Sequence, residues 1–242
     1  MCQLLTKEGP ISFCLKRSSR KSVSVQIDEK ARIQVGAPVF VAENRILSFL
    51  QEKESWILKK LKEVQKRNEI LRRKRFADGH EFLFLGKKRK LKVTKTFEKR
   101  VSVNFNGQEW SVSVPEGLGG KQGEEEIRKE LADWYKTQAK EILGGRVFHF
   151  SRILNIEPRT IVVRTQKRLW GSCHYHNKSI HLNWQIILAP PEVTDYVVVH
   201  ELCHLFVPNH SKKFWQKVAK ILPDFKKRRQ WLKVNAAEMM LP

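Results

Sequence analysis

VVVHELCH, residues 197–204, is the stretch that decides the predicted fold of this chain. It places the pattern His-Glu-x-x-His at the end of an apolar run that is typical of a helix. His200 and His204 are four residues apart, so on a helix both imidazoles leave the same face, one turn apart. Two such imidazoles can bind one zinc ion, and Glu201 can then reach a metal-bound water without being a ligand itself.

Two features around this stretch support a metal site. Pro190-Pro191-Glu192 is typical of a helix start, because proline is tolerated in the first turn and a carboxylate is favourable near the positive end of the helix dipole. Six residues after His204, His210 is the natural third ligand, which leaves a fourth position open for water. The competing interpretation is two histidines at the edge of a core.

The composition indicates a globular protein with a strongly basic surface. The 242 residues include 47 Lys and Arg against 25 Asp and Glu, a net charge of +22, which favours polyanionic partners. No apolar run reaches the roughly 18 residues of a membrane span, so we expect no membrane partner. Residues 1–8 lack the pattern of a secretory signal, and the four cysteines form no C-x-x-C pair. We therefore expect a reduced, cytoplasmic setting.

Hydrophobic periodicity predicts strands and one long helix before residue 115. Residues 11–35 alternate with the period of a strand and predict a hairpin. Residues 42–73 predict a long helix with a very basic end. Strands resume at about Phe76, and Asn106-Gly107 predicts a tight hairpin turn. The sequence shows no internal repeat.

The glycine-rich residues 115–123 predict a domain boundary. We expect a strand-rich N-terminal domain over residues 1–118 and a compact C-terminal domain over residues 119–242. The elements predicted in the second domain are a long helix from Glu124 that Gly144-Gly145 either kinks or ends, strands over residues 160–164 and 179–187, and the helix of the histidine pattern. This arrangement predicts the α+β class.

The residues of the histidine pattern and its surroundings resemble the YgjP-like family of metallopeptidases. The resemblance covers nearly the whole chain, and its specific motifs are Trp170-Gly171-Ser172-Cys173, Leu182-Asn183-Trp184, Ala189-Pro190-Pro191-Glu192, His200-Glu201-Leu202-Cys203-His204, Asn209-His210-Ser211 and Phe214-Trp215. It implies a strand-rich N-terminal half and a compact zincin-like catalytic domain of helices and a β-hairpin. It also implies Zn²⁺ held by His200, His204 and His210, with Glu201 as catalytic base. SprT- and Spartan-like proteases, which cut protein attached to DNA, are more distantly similar in architecture.

The residues argue against two other assignments of the histidines. Metzincins share the spacing of His204 and His210, but they have glycine where this chain has Val207, and no Met-turn is evident. We therefore reject the metzincin family and keep the three ligands. His174 and His176 depart from the family pattern, where small polar residues are usual; we interpret them as an exposed hairpin tip rather than a second metal site.

Two further residues are candidates for contact with a substrate or an oxyanion. Tyr196 lies on the helical stripe of His200, and Arg168 lies on a nearby loop. The alternative for each residue is a structural role.

The most direct functional hypothesis is a zinc-dependent metallopeptidase that acts on peptides or proteins. Zinc lowers the pKa of its bound water, and Glu201 takes the proton as general base. A non-catalytic zinc-binding module is a weaker hypothesis, because it leaves Glu201 without a role. The sequence does not determine the oligomeric state.

The positive charge keeps two other functions open. A nucleoside triphosphate pyrophosphatase, an activity assigned to some family members on UTP, suits a basic protein, but no glycine-rich phosphate cradle is visible. A DNA-associated protease would use the basic runs at residues 59–75, 87–95 and 212–233 as a nucleic-acid surface. Solvated helix faces explain these runs equally simply.

Overall fold

A computed structural model describes residues 2–166 and 169–241. Within these residues, six α-helices and three mixed sheets form an α+β fold, which confirms the predicted fold class. The chain divides into two compact units, Met1–Arg73 and Lys74–Pro242. No helix in the described parts is long and apolar enough to cross a bilayer.

The first unit opens with a four-stranded sheet. Its strands are β1 (Cys2–Thr6), β2 (Gly9–Ser18), β3 (Ser24–Ile27) and β4 (Ile33–Pro38), in the spatial order β1-β2-β4-β3. The central pair β2 and β4 is parallel, and the outer pairs are antiparallel. The predicted hairpin is confirmed, because Ile27 of β3 lies opposite Ile33 of β4.

The long helix predicted over residues 42–73 is in fact two helices, α1 (Glu43–Glu52) and α2 (Glu54–Arg73). The prediction of one helix was wrong because Leu50 and Ile57 are seven residues apart, so the helical period continues across the break. Both side chains lie in the core of the first unit with Ile46.

The second unit opens with a sheet of the same design. Its strands are β5 (Glu81–Phe84), β6 (Lys87–Thr96), β7 (Ser102–Phe105) and β8 (Trp110–Pro115), in the order β5-β6-β8-β7. The Asn106-Gly107 turn is confirmed, because it joins antiparallel strands with Phe105 opposite Trp110. Helix α3 (Gly120–Leu154) follows, starts earlier than predicted and continues through Gly144-Gly145.

The two sheets form an internal repeat that the sequence does not reveal. In each, an antiparallel pair is followed by a parallel central pair and a second antiparallel pair. The parallel pairs join Phe13–Ser18 to Ile33–Pro38 and Leu91–Thr96 to Trp110–Pro115. Each sheet is followed by helix, so one ββββα module occurs twice in the chain.

The second sheet belongs with α3 in one core. Phe84, Phe105 and Trp110 from the strands meet Trp134 and Tyr135 from the helix, with ring centroids 5.1–6.4 Å apart in the contacts that join them. The compact units therefore differ from the predicted domains, residues 1–118 and 119–242. Those domain limits stay a prediction, which limited proteolysis would test.

The remaining elements are the helix that carries the histidine pattern and the segments before and after it. They are β9 (Thr160–Arg164), β10 (Gly171–His174) and β11 (Ser179–Asn183) in the order β10-β11-β9, a 3₁₀ helix (Trp184–Leu188), α4 (Pro191–His204), α5 (Lys212–Ile221) and α6 (Phe225–Asn235). The strand predicted over residues 179–187 was too long. It ends where the Asn183 side chain accepts the N–H of Gln185 and begins the 3₁₀ helix.

Candidate metal centre

Helix α4 is held firmly at its start. The Pro190 carbonyl accepts the N–H groups of Val193 and Thr194, and the Thr194 hydroxyl donates to the Ile186 carbonyl at 3.0 Å. One residue later, Asp195 accepts two hydrogen bonds from Arg146 of α3, at 2.5 and 2.8 Å. These contacts tie the helix to the 3₁₀ helix and to α3, so its last turn has a defined position.

The last turn of α4 and the loop after it bring three imidazoles together. The Nε2 atoms of His200 and His204 are 3.2 Å apart, those of His204 and His210 are 3.2 Å apart, and those of His210 and His200 are 3.0 Å apart. His200 and His204 are partly buried, and His210 is exposed. All three residues of the predicted ligand set therefore converge on one point.

Hydrogen bonding cannot satisfy this arrangement by itself. His204 Nδ1 lies 3.1 Å from the Val207 carbonyl, which can only accept, so Nδ1 carries the hydrogen and Nε2 of the neutral ring presents a lone pair. Three ring nitrogens that face one another have too few hydrogens for three hydrogen bonds. A cation at their centre would satisfy all three lone pairs. Tetrahedral ligands at about 2.0–2.1 Å from zinc stand about 3.3–3.4 Å apart, close to the separations found here.

Two aromatic residues of α5 pack against the three imidazoles. Phe214 is fully buried and contacts all three imidazoles, with its ring stacked on His204 at 4.4 Å between centroids. Trp215 stacks on His210 at 5.6 Å and 22°. These rings restrict the imidazole rotations, so the nitrogens are oriented before a metal arrives.

The surroundings of His200 and His204 favour the neutral form of these two imidazoles. Burial, together with the nearby His204, His210 and Arg229, lowers the pKa of His200 to about 3. Burial also lowers the pKa of His204, against the opposite effect of its hydrogen bond to Val207. Neutral imidazole is the form that binds metals, so these shifts favour metal binding at neutral pH.

Glu201 is buried beside strand β10. Burial raises the pKa of its carboxyl to about 8. A Cβ placed on Gly171 would lie only 2.7 Å from Oε1 and Cγ of Glu201. Glycine is therefore required at position 171 because the carboxyl occupies the space of a side chain.

The structure describes three of the four other candidate residues, and none of these three belongs to the histidine cluster. Tyr196 is buried with its ring 5.8 Å from that of His200, and burial raises the pKa of its hydroxyl. Its assignment to substrate or oxyanion contact stays a prediction. Arg168, the other residue of that assignment, lies outside the described residues. His174 is the last residue of β10 and His176 lies in the turn after it, and both are exposed. The one group of metal-competent side chains found among the described residues does not include them.

Three features of the site were not predicted from the sequence. They are the contact between Gly171 and Glu201, the position of Phe214 under all three histidines, and Arg229, whose Cζ lies 5.0 Å from the centre of the Trp215 ring. Each contact joins different structural elements, so no pattern within one helix or strand predicts it. The presence of Trp170-Gly171 and Phe214-Trp215 among the family motifs was the available signal.

Comparisons with known proteins identify the family of this chain. The model of the YgjP-like metallopeptidase domain matches residues 21–235. No curated protein matches the chain. Among solved structures, the crystal structure of the metallopeptidase zymogen of Pyrococcus abyssi abylysin is similar with a TM-score of 0.36 and 22% identity, over 38% of this chain and 93% of that one. The chain belongs to the YgjP-like metallopeptidase family and is a metal-dependent peptidase.

Proposed function

We propose that the protein is a zinc peptidase in which His200, His204 and His210 hold one Zn²⁺ and Glu201 acts as general base. The observation that carries this proposal is the convergence of three Nε2 atoms within 3.2 Å of one another. Imidazole nitrogens suit zinc well, and three protein ligands are the number usual for a catalytic zinc site.

The proposed reaction assigns proton transfer to Glu201. Bound zinc would supply Lewis acidity, which lowers the pKa of a water molecule and polarises the carbonyl of the substrate. The Glu201 carboxylate accepts the proton of the attacking water. The same side chain then donates this proton to the leaving amine, which completes cleavage of the peptide bond.

The surroundings of Glu201 support this role. A carboxyl whose pKa is raised to about 8 by burial holds a proton more readily than a solvated carboxyl. A nearby divalent cation favours the ionised form, so the group can act first as a base and then as an acid. The close backbone of Gly171 limits the rotamers of the side chain and keeps the carboxyl in place.

The decisive experiment compares the wild-type protein with Glu201→Gln. We expect the variant to lose about 10³-fold in peptide cleavage and to keep one zinc per chain by elemental analysis. The matched control is Glu192→Gln, which removes an exposed carboxylate from the first turn of the same helix and should leave both values unchanged. Loss of zinc from Glu201→Gln would show that Glu201 is a ligand, and equal activity would remove it from the mechanism.

The same proteins separate the alternative functions. A panel of nucleoside triphosphates that includes UTP tests for pyrophosphate release, and an unfolded protein substrate tests for peptide cleavage. Pyrophosphate release without peptide cleavage would overturn the peptidase proposal. Retention on DNA at low salt, lost when the cations of residues 59–75 are neutralised, would support the DNA-associated form of the protease.

A further inference from the structure

We propose that Arg229 forms an anion subsite beside the histidine cluster, where its guanidinium binds a carboxylate of the peptide substrate. This inference rests on the proposed peptidase function. It adds to that function a residue that selects among peptides.

Arg229 is joined to the cluster through one aromatic ring. Its guanidinium lies over Trp215, 5.0 Å from the ring centroid. Trp215 in turn stacks on His210, with centroids 5.6 Å apart, and lies 5.8 Å from the ring of His200. Arg229 therefore belongs to the rim of the same site, although α6 follows α4 by twenty residues.

The hydrogen-bond donors of Arg229 are free within the described parts of the chain. Its side chain is exposed and forms no salt bridge or hydrogen bond with residues 2–166 or 169–241. The neighbouring Arg228 differs, because it donates to the Asp224 carboxylate at 3.0 Å and to the Glu192 carbonyl at 2.8 Å. One arginine of this pair stabilises the fold, and the other is available for a ligand.

The aromatic contact orients Arg229 without using its N–H groups. Trp215 is itself fixed by Phe225, whose ring stacks on it at 5.3 Å and 15°. A guanidinium held flat against a ring loses less conformational freedom on binding than a free side chain. Its planar fork then matches a carboxylate through two parallel hydrogen bonds.

The distance to the cluster limits which carboxylate can reach Arg229. The contacts of Arg229 with Trp215, at 5.0 Å, and of Trp215 with His210, at 5.6 Å, follow one another. Together they reach about as far as three residues of an extended peptide, at about 3.3–3.6 Å per residue. The carboxylate must therefore be an acidic side chain within about three residues of the scissile bond, or the C-terminal carboxylate of the substrate. The net charge of +22 attracts acidic peptides to the protein in the first place.

The test measures peptide binding by the zinc-loaded Glu201→Gln variant, which should hold a peptide without cleaving it. The probes are fluorescein-labelled decapeptides of alanine and glycine with aspartate or asparagine at each of the six central positions, each made as the C-terminal acid and amide. Fluorescence anisotropy should show tighter binding of an aspartate peptide, or of the C-terminal acids as a group. The first result identifies a side-chain carboxylate and the second a terminal one.

Adding Arg229→Gln should weaken binding of the preferred acidic peptide about fivefold and change binding of the neutral amide less than twofold. Arg229→Lys should recover part of the preference, since a point charge replaces the fork. Lys227→Gln is the matched control, because it removes one exposed charge from the same helix and should leave the preference intact.

The outcomes separate this inference from the proposed function. Equal binding of acidic and neutral peptides, or a preference for acidic peptides that survives Arg229→Gln, overturns the anion subsite. Cleavage of neutral peptides by the wild type would still support the peptidase function in that case. A wild-type protein that cleaves none of the peptides and no unfolded protein overturns the proposed function itself.

Discussion

In the first unit, the sheet β1-β2-β4-β3 is followed by α1 and α2; in the second, the sheet β5-β6-β8-β7 is followed by α3. The strands have the same order and directions, yet the helices differ in burial. Helix α2 buries Ile57 and Val64 among its twenty residues, and the rest of its surface is largely charged. Helix α3 buries a continuous stripe from Ile127 to Phe150.

The difference follows from what each helix contacts within its own unit. Helix α3 packs against β7, β8 and β9 and also against the 3₁₀ helix and α4. Arg146 of α3 then fixes α4 through Asp195. The second module thus supports the metal site because its helix α3 packs against the 3₁₀ helix and α4. The strand topology that the two modules share does not by itself position the histidines.

The largest effect on stability is expected when a core side chain of each module is truncated to alanine. Tyr135 is fully buried, stacks on Trp184 at 5.9 Å and donates to the Leu83 carbonyl at 2.7 Å. Tyr135→Ala should lower the free energy of unfolding by about 3–5 kcal/mol. Because α3 supports α4, the temperature of metal release should fall with the temperature of unfolding.

The matched change in the first module is Ile57→Ala, at a fully buried position of α2. It should cost about 2–5 kcal/mol in the first unit and leave metal release unchanged. Calorimetry with a metal-sensitive dye measures both quantities. Equal effects of the two variants on metal release would contradict the unequal roles of the modules.

A smaller effect is expected where β10 meets the site. Gly171→Ala should push the Glu201 carboxyl aside and reduce peptide cleavage by about 10–100-fold, because a displacement of about 1 Å can cost that much. Metal content should stay the same. Gly117→Ala is the control, since an added Cβ there meets nothing within 4 Å. Full activity in Gly171→Ala would show that the close approach has no catalytic consequence.

The smallest effect on the metal site is expected from a change at Lys74, at the start of the second unit. Its ammonium donates to the Glu238 and Met240 carbonyls at 2.5 and 2.7 Å, and burial lowers its pKa from 10.5 to about 8. Because the folded pKa is below the unfolded one, this group contributes stability above pH 10.5 that is lost as pH falls through about 8.

The unfolding free energy should therefore change by about 3 kcal/mol less over this pH range in Lys74→Met than in the wild type, because each pKa unit corresponds to about 1.4 kcal/mol. Urea titrations of both proteins between pH 8 and 10.5 would measure the difference. Identical pH profiles would mean that the Lys74 amine has an ordinary pKa in the folded protein.

Local patterns predicted the elements of this protein better than their limits or relationships. The strand period predicted the β3–β4 hairpin, and Asn106-Gly107 predicted the β7–β8 turn. The break at Lys53 was missed because the hydrophobic period continues through it. The repeated module was missed because many different sequences satisfy the same alternation of buried and exposed residues.

The sequence by itself determined that His200 and His204 share a helical face, because four residues make about one turn. It also indicated His210 as the third nitrogen through spacing. Only the tertiary structure decided that three Nε2 atoms meet within 3.2 Å above Phe214, that Glu201 fills the space beside Gly171, and that Arg229 reaches the same site through Trp215. These contacts depend on how separate elements pack, and packing is set by the whole core rather than by any one segment.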